Sequence, residues 1–393
     1  MGHPTTASFQ APREVLMGPG ASADLAAALQ RWGIPPGPVL LVRDAAVAAH
    51  GLGAAMVSQL SDAGFVPHFF DAITAEPELE TARATLDAAR ACNATVVIGV
   101  GGGSSMDMAK VAATYGQDSC SVEDVLAGTA SAARAVPLVL IPTTTGTGAE
   151  TTRVSMVSVD GHKRILLSPH FVPLLAVLDS DLVRSLPPAV TASSGLDAMS
   201  HACEAFVSTN ATPLTDAAAR AAVAMLAVSL PKAYADGTDQ QARATTLEAA
   251  HLAGRSLNAG VVLGHSIAYT IADRTHLPHG ITTGMSLPFA LAYSWPAVEA
   301  RLSGLARSVG GEVPRTATGL LTWLAELAAE LGAPTSLAAI GLDEGALAEM
   351  AAECIRDYPR PNNPVPLEQG RLETLLGCFH RGDVLEAVAA MTA

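Results

Sequence analysis

The sequence predicts an α/β amino-terminal half joined near residue 185 to an all-helical carboxy-terminal half. Three observations carry this. In the first half, short β-branched runs alternate with Ala-rich stretches of helical period, the pattern of βαβ units around a parallel sheet. After Leu186-Pro187-Pro188 the strand signals nearly vanish and long Ala/Leu-rich segments punctuated by Pro and Gly take over. The 393 residues are 49% hydrophobic and only 15% charged, which suits two or three well-packed domains and excludes a disordered chain.

Four continuous apolar runs read as strands covered on both faces: 39–42 (VLLV), 95–100 (TVVIGV), 137–142 (PLVLIP) and 174–179 (LLAVLD). Helical patterns over 22–32, 45–63, 78–91 and 105–114 fill the intervals. Beyond the break, helices are expected at about 194–208, 213–234, 241–258, 283–308, 315–331, 343–356 and 367–391, so the expected domains are 1–185 and 186–393. There is no repeat at a solenoid period and no low-complexity tail.

Charge and cysteine usage narrow the function classes. A net charge of −14 lacks the basic stripe that neutralises phosphates, which argues against nucleic acid and against anionic membranes and leaves small molecules as partners. The five cysteines are scattered and never form a CxxC pair, as in a reduced cytoplasmic protein. The first residues lack a basic segment followed by an apolar run, and no window of about 18 residues is free of charge and turn signals, so neither secretion nor membrane insertion is expected. A homodimer is the default assembly.

Asp197 and His201, four residues apart in LDAMSHACEAF, share one helix face one turn apart. Together with His265 and His279 they offer one carboxylate and three imidazoles, a set suited to Zn²⁺ or Fe²⁺ with any unfilled position open to a substrate oxygen. Spacing alone does not establish such a site, because a chain with 11 histidines places some pairs at helical spacing by chance.

Two turns in the first half have the makings of an anion site. GVGGGSSMDMAK (99–110) follows a buried strand and opens a helix, so its bare amides sit at a positively polarised helix end. Gly101, Gly102 and Gly103 let a pyrophosphate approach and Ser104 adds a hydroxyl, although the spacing is not GxGxxG and a tight turn alone would look the same. PTTTGTGAE (142–150) follows another buried strand and can hydrogen-bond ribose, phosphate or an amide. Asp44, after Arg43 at the end of VLLV, stands where an acidic residue often binds an adenine ribose; it could equally cap a helix.

In this order the motifs GGGSSMDMAK, PTTTGTGAE, SPHFVPLLAVLD, LDAMSHACEAF, AGRSLNAG and HSIAY followed by LPHG resemble the iron-containing (group III) alcohol dehydrogenases, from about residue 13 to the carboxy terminus. The resemblance implies a Rossmann-like dinucleotide-binding domain, a helical metal-binding domain (a dehydroquinate synthase-like fold), and an active site in the cleft between them. It implies that Asp197, His201, His265 and His279 hold a catalytic Fe²⁺, or Zn²⁺ in some members. Gly101, Gly102, Gly103 and Ser104 would bind the pyrophosphate, and Asp107 would lie near the nicotinamide. Thr143, Thr144 and Thr147 would face the nicotinamide ribose and phosphates, and Lys163 would reach the ribose. Asp44 favours NAD(H), while neighbouring Arg43 leaves NADP(H) open.

The implied activity is hydride transfer between nicotinamide C4 and a small alcohol, aldehyde or oxoacid polarised by the cation, with Tyr269, His279 and Asp107 as catalytic candidates. Tyr269 departs from the pattern: many members have a histidine there, and a phenol with a pKa near ~10 is a poorer base at neutral pH. It could still donate a hydrogen bond or shape the pocket. His276 could replace the missing imidazole or be an ordinary loop histidine. Arg255 could pair with a carboxylate or phosphonate on the substrate or form a plain ion pair. Glu204 is expected to support a ligand or pack its helix, and Cys203 to be buried packing. The alternatives are a metal-independent, maleylacetate-reductase-like oxidoreductase and a non-redox, dehydroquinate-synthase-like lyase, the latter opposed by MSHACEAF and LPHG. A nucleotide-binding regulator with decayed chemistry is opposed by the intact ligand set.

Overall fold

The computed structural model describes residues 6–159, 162–310 and 315–392. They form two compact units, one spanning 10–185 and the other 186–392 together with 6–9.

The first unit is built on eight strands: β1 (Glu14–Gly18), β2 (Pro38–Asp44), β3 (Val66–Ile73), β4 (Val96–Gly101), β5 (Leu138–Pro142), β6 (Val154–Val159), β7 (His162–Leu167) and β8 (Leu175–Asp179). Six of them make a parallel sheet in the order β1-β8-β5-β4-β2-β3, and β6 and β7 form a separate antiparallel pair. The helices are α1 (Leu25–Arg31), α2 (Ala45–Ala49), α3 (Ala54–Asp62), α4 (Leu79–Ala91), α5 (Gly103–Tyr115) and α6 (Val122–Leu126). The four interior strands are the four apolar runs of the sequence, because a strand covered on both faces has no polar positions to interrupt it. β1 and β3 were not expected. They are the sheet edges, half exposed, and Pro67 with the exposed Phe69 breaks any alternation in β3. The expected helix 45–63 is two, α2 and α3, parted by Gly51 and Gly53 at φ 63° and 80°.

The second unit is entirely helical: α7 (Pro188–Val207), α8 (Pro213–Ala235), α9 (Gln240–Ser256), α10 (Leu263–Thr275), α11 (His279–Tyr293), α12 (Trp295–Val309), α13 (Ala317–Glu330), α14 (Leu347–Arg356), α15 (Gln369–Arg381) and α16 (Val384–Thr392), with short 3-10 turns. α7 is buried nearly all round and packs against α8, α9 and α11, so it is the axis of the unit. Leu196, Phe206, Leu226, Leu230 and Phe289 belong to its core. α8 is long and apolar enough to cross a membrane by length and composition, with 39% of its apolar window buried; here it is a core helix packed on α7 and α9.

α10 was not among the expected helices. The expected helix 283–308 is α11 followed by α12, meeting at Ser294, and 367–391 divides at Gly382, a left-handed C-cap with φ 79°.

Candidate metal centre and dinucleotide turns

Three helices of the second unit supply the four candidate ligands. Asp197 and His201 lie on α7, His265 on the first turn of α10, and His279 is the first residue of α11. Pro278 is the N-cap of α11, and Gly280 lets the start of that helix reach α7: a Cβ at Gly280 would sit 1.8 Å from the Ser193 carbonyl oxygen.

The imidazole Nε2 atoms of His201, His265 and His279 lie 3.6, 3.7 and 3.7 Å from Asp197 Oδ1. These separations exceed a good hydrogen bond. They fit donors around one cation, since tetrahedral ligands at about 2.1 Å from a metal stand about 3.4 Å apart. Ligating atoms of Asp197, His265 and His279 all lie within 4.8 Å of one another. His201 falls outside that mutually close group, although its ring stacks on His265 at 4.9 Å between centroids and 20° between planes. Asp197, His201 and His265 are buried, whereas the His279 side chain is 31% exposed, so the centre is open on that side. One carboxylate among imidazoles in a largely desolvated setting fits a divalent cation.

Glu204 completes the α7 face at three residues beyond His201. It is fully buried, and its Oε1 lies 2.6 Å from His265 Nδ1 while Oε2 accepts from the Val262 amide at 2.7 Å. Burial pushes its carboxyl up to about 7, against the pull of Arg360 and the Val262 amide. A carboxylate there accepts from Nδ1–H and so selects the tautomer whose Nε2 lone pair points toward Asp197. Gly264 makes room for it, since a Cβ there would stand 2.6 Å from Oε1.

Aromatic rings wall the centre beside His279. Tyr269 stacks on His279 at 5.3 Å and 10°, meets His265 edge-on at 6.4 Å, and touches Tyr358 at 4.9 Å. Tyr358 donates to Asp273 at 3.1 Å, and burial with that neighbouring carboxylate pushes its phenol far up. Arg360 lies with Cζ 5.9 Å from the Tyr269 centroid. Neither Tyr358 nor Arg360 was singled out in the sequence; the run of prolines and asparagines around them was the only available signal. His276 is exposed and caps α10 in the left-handed region, φ 57°. Arg255 sits over the Phe9 ring at 5.7 Å. Cys203 is buried packing, its thiol pushed far up by desolvation.

In the first unit, the two Gly/Thr turns follow β4 and β5, which are neighbours in register, with Gly101 opposite Pro142. Thr143 N donates to Gly101 O at 2.9 Å, and the absent Cβ positions of Gly102 and Gly103 face Thr144 and Thr147 at 3.6 and 3.0 Å. Gly102 caps α5 without a side-chain bond, leaving first-turn amides for an anion. Ser104 donates its hydroxyl to Ala75 O, and Lys163 pairs with Glu76 at 3.1 Å. Asp44 caps α2 through Val47 N at 2.8 Å and also accepts from Ser105 at 3.5 Å. Arg43 is clamped by Asp71 through two 2.8 Å bonds and lies on Phe69.

Asp107 has partners its motif did not reveal. Its Oδ2 accepts from Met156 N at 3.0 Å and its Oδ1 lies 3.4 Å from Lys110 Nζ, which also donates to Thr152 and Val154 O. Both groups are buried, which raises the carboxyl and lowers the amine despite their mutual attraction. The pair braces α5 against β6.

Fold and centre together define a metal-binding, dinucleotide-linked oxidoreductase class. Residues 12–180 match the model for iron-containing alcohol dehydrogenases, and 191–378 match the model for the carboxy-terminal part of the same family. The chain belongs to the iron-containing alcohol dehydrogenase family. It is 32% identical over 358 residues to long-chain-alcohol dehydrogenase 1 of Geobacillus thermodenitrificans (strain NG80-2), covering 88% of this chain and 91% of that protein. It is also 32% identical over 359 residues to maleylacetate reductase of Rhizobium sp. (strain MTP-10005), covering 89% and 92%. Among solved structures, 1,3-propanediol oxidoreductase superposes with TM-score 0.87 at 26% identity over 95% of this chain and 99% of that one. Sulfoacetaldehyde reductase from Bifidobacterium kashiwanohense, solved with NAD⁺, gives TM-score 0.87 at 25% identity over 97% and 100%.

Proposed function

We propose that this protein is an NAD-linked, metal-dependent alcohol dehydrogenase or aldehyde reductase, a cytoplasmic homodimer acting on small alcohols, aldehydes or oxoacids. The observation that carries this reading is the convergence of three imidazole Nε2 atoms on one Asp197 oxygen at 3.6 to 3.7 Å. Asp197, His201, His265 and His279 would hold Fe²⁺, or Zn²⁺, and Glu204 would fix the His265 ring. When bound, such a cation supplies Lewis acidity toward a carbonyl or alcohol oxygen, and the dinucleotide supplies or accepts the hydride.

Gly101, Gly102 and Gly103 with the α5 amino terminus bind the pyrophosphate, helped by Ser104. Thr143, Thr144, Thr147 and Lys163 contact ribose and phosphates, Lys163 first leaving Glu76. Asp107 holds β6 in place at the nicotinamide end. Asp44 accepts from the adenine ribose 2′-hydroxyl and repels a 2′-phosphate. Because Asp71 already balances Arg43, the neighbouring guanidinium does little to attract that phosphate, which supports NAD(H) over NADP(H). Tyr269 shapes the substrate wall next to His279 and offers a phenolic hydrogen bond. The five cysteines are unbonded, in keeping with a reducing compartment.

The test is a screen of alcohols, aldehydes and oxoacids with NADH and NADPH before and after chelation, with metal analysis of the same sample. Activity should vanish on chelation and return with Fe²⁺ or Zn²⁺, and His265→Ala should lose its metal. Full turnover by metal-free protein would overturn the metal-dependent mechanism in favour of a metal-independent reductase.

A further inference from the structure

The segment between α14 and α15 carries an arginine whose surroundings are built and which, although it attracts the buried Glu204 carboxyl, is joined to no carboxylate in a close ion pair among the described residues. Arg360 lies between Pro359 and Pro361, which restrict the backbone on both sides. Its Nε donates to Ser266 Oγ at 3.0 Å, and Ser266 in turn donates to Tyr358 O at 2.7 Å. Ser266 directly follows His265. Two asparagines fasten the rest of the segment to the start of α10: Asn362 Nδ2 donates to Val261 O at 3.0 Å, and Asn363 Oδ1 accepts from Leu263 N at 3.3 Å. The arginine is therefore held by the same short stretch that presents a candidate metal ligand.

Its terminal amines are uncommitted. Among the described residues Nη1 and Nη2 make no hydrogen bond, and no carboxylate lies within ion-pair distance of Arg360. Arg274, on the same helix α10, shows the ordinary solution, a two-pronged pair with Glu353 at 2.6 and 2.8 Å. A half-buried guanidinium carrying two free donors has the geometry to take an oxyanion in a forked hydrogen bond. The Tyr269 ring connects it to the centre, facing Arg360 at 5.9 Å and stacking on His279 at 5.3 Å. Arg255, the sequence's candidate for reading an anion, lies over the Phe9 ring with its Nε buried and making no hydrogen bond, and it lacks the Tyr269 ring that ties Arg360 to His279.

We propose that Arg360, with the Tyr269 ring as its floor, is an anion subsite that binds the carboxylate of the substrate while the reacting carbon lies at the His279 side of the centre. The preferred substrates are then short aldehydes or ketones bearing a carboxylate a few carbons away, or the corresponding hydroxy acids. This rests on the oxidoreductase reading above. A sulfonate offers the same oxyanion chemistry, so both anions belong in the test.

The metal-loaded enzyme, its Arg360→Gln variant and its Arg360→Lys variant are compared on 4-oxobutanoate, sulfoacetaldehyde and uncharged butanal. The intact enzyme should favour an anionic substrate. Arg360→Gln should lose about 10- to 100-fold in kcat/KM on it, mainly through KM, with butanal little changed, and Arg360→Lys should recover part of the loss. Calorimetric titration of each protein with glutarate, an unreactive dicarboxylate, reads binding without turnover and should show the same ranking. An unchanged ratio of charged to uncharged substrate in Arg360→Gln, or equal glutarate affinity in all three proteins, overturns the subsite. Absence of turnover on every substrate in the intact enzyme would instead overturn the oxidoreductase reading, and the glutarate titration would still decide the subsite.

Discussion

Glu204 Oε1 stands 2.6 Å from His265 Nδ1, joining two fully enclosed side chains across 61 residues of sequence and tying α7 to α10 behind the candidate metal centre. Removing this carboxylate frees the imidazole to rotate and to adopt the wrong tautomer. Glu204→Ala should weaken metal binding by about 10- to 100-fold, read by competition with a chelator of known affinity. Gly264→Ala, whose Cβ would press on Oε1, should act in the same direction; normal affinity in both variants would show that His265 needs no support.

Asp44 caps α2 and also stands at the proposed ribose site, so its removal should have two separable effects. Asp44→Ala should cost about 1 kcal/mol of stability through the lost cap. It should also raise the ratio of kcat/KM with NADPH to that with NADH. A loss of stability with an unaltered cofactor ratio would leave Asp44 as a cap only.

Lys110 and Asp107 are a buried pair, and the variant that breaks it is worse than the one that replaces it. Lys110→Met should destabilise the protein by about 3–5 kcal/mol in urea unfolding, because it strands the Asp107 carboxylate beside apolar groups. The double variant Lys110→Met, Asp107→Asn should recover a sizeable part of that loss, a positive coupling that an additive result would rule out.

His276 adopts φ 57°, a conformation that costs an L-residue energy and a glycine almost none. His276→Gly should therefore leave stability unchanged or raise it by up to about 1 kcal/mol, offset only by glycine's greater freedom when unfolded. If His276 is no more than a helix cap, turnover and its pH profile should be unchanged. A loss of the neutral-pH activity would make His276 the proton carrier in place of the imidazole that Tyr269 displaces.

Much of the molecule was legible from local pattern. The four interior strands appear as apolar runs because both of their faces are covered, and the helical half declares itself by Ala/Leu periodicity after residue 185. The pairing of Asp197 with His201 follows from helix pitch alone. The edge strands β1 and β3 escaped because an exposed face admits any residue, and α10 escaped because its histidine and glycine content hides a helix that is buried on most sides.

Sequence by itself determined the fold class, the family and the identity of the candidate ligands, since each is written in spacings of a few residues or in the order of motifs. Tertiary structure decided which groups the site residues meet: Glu204 behind His265, Met156 and Val154 on the Asp107–Lys110 pair, Asp71 on Arg43, and Arg360 next to Tyr269. Those pairings span 28 to 91 residues and depend on how closely backbones approach at positions such as Gly264 and Gly280. No local periodicity encodes such approaches, because they arise only when packed helices and strands share one interior.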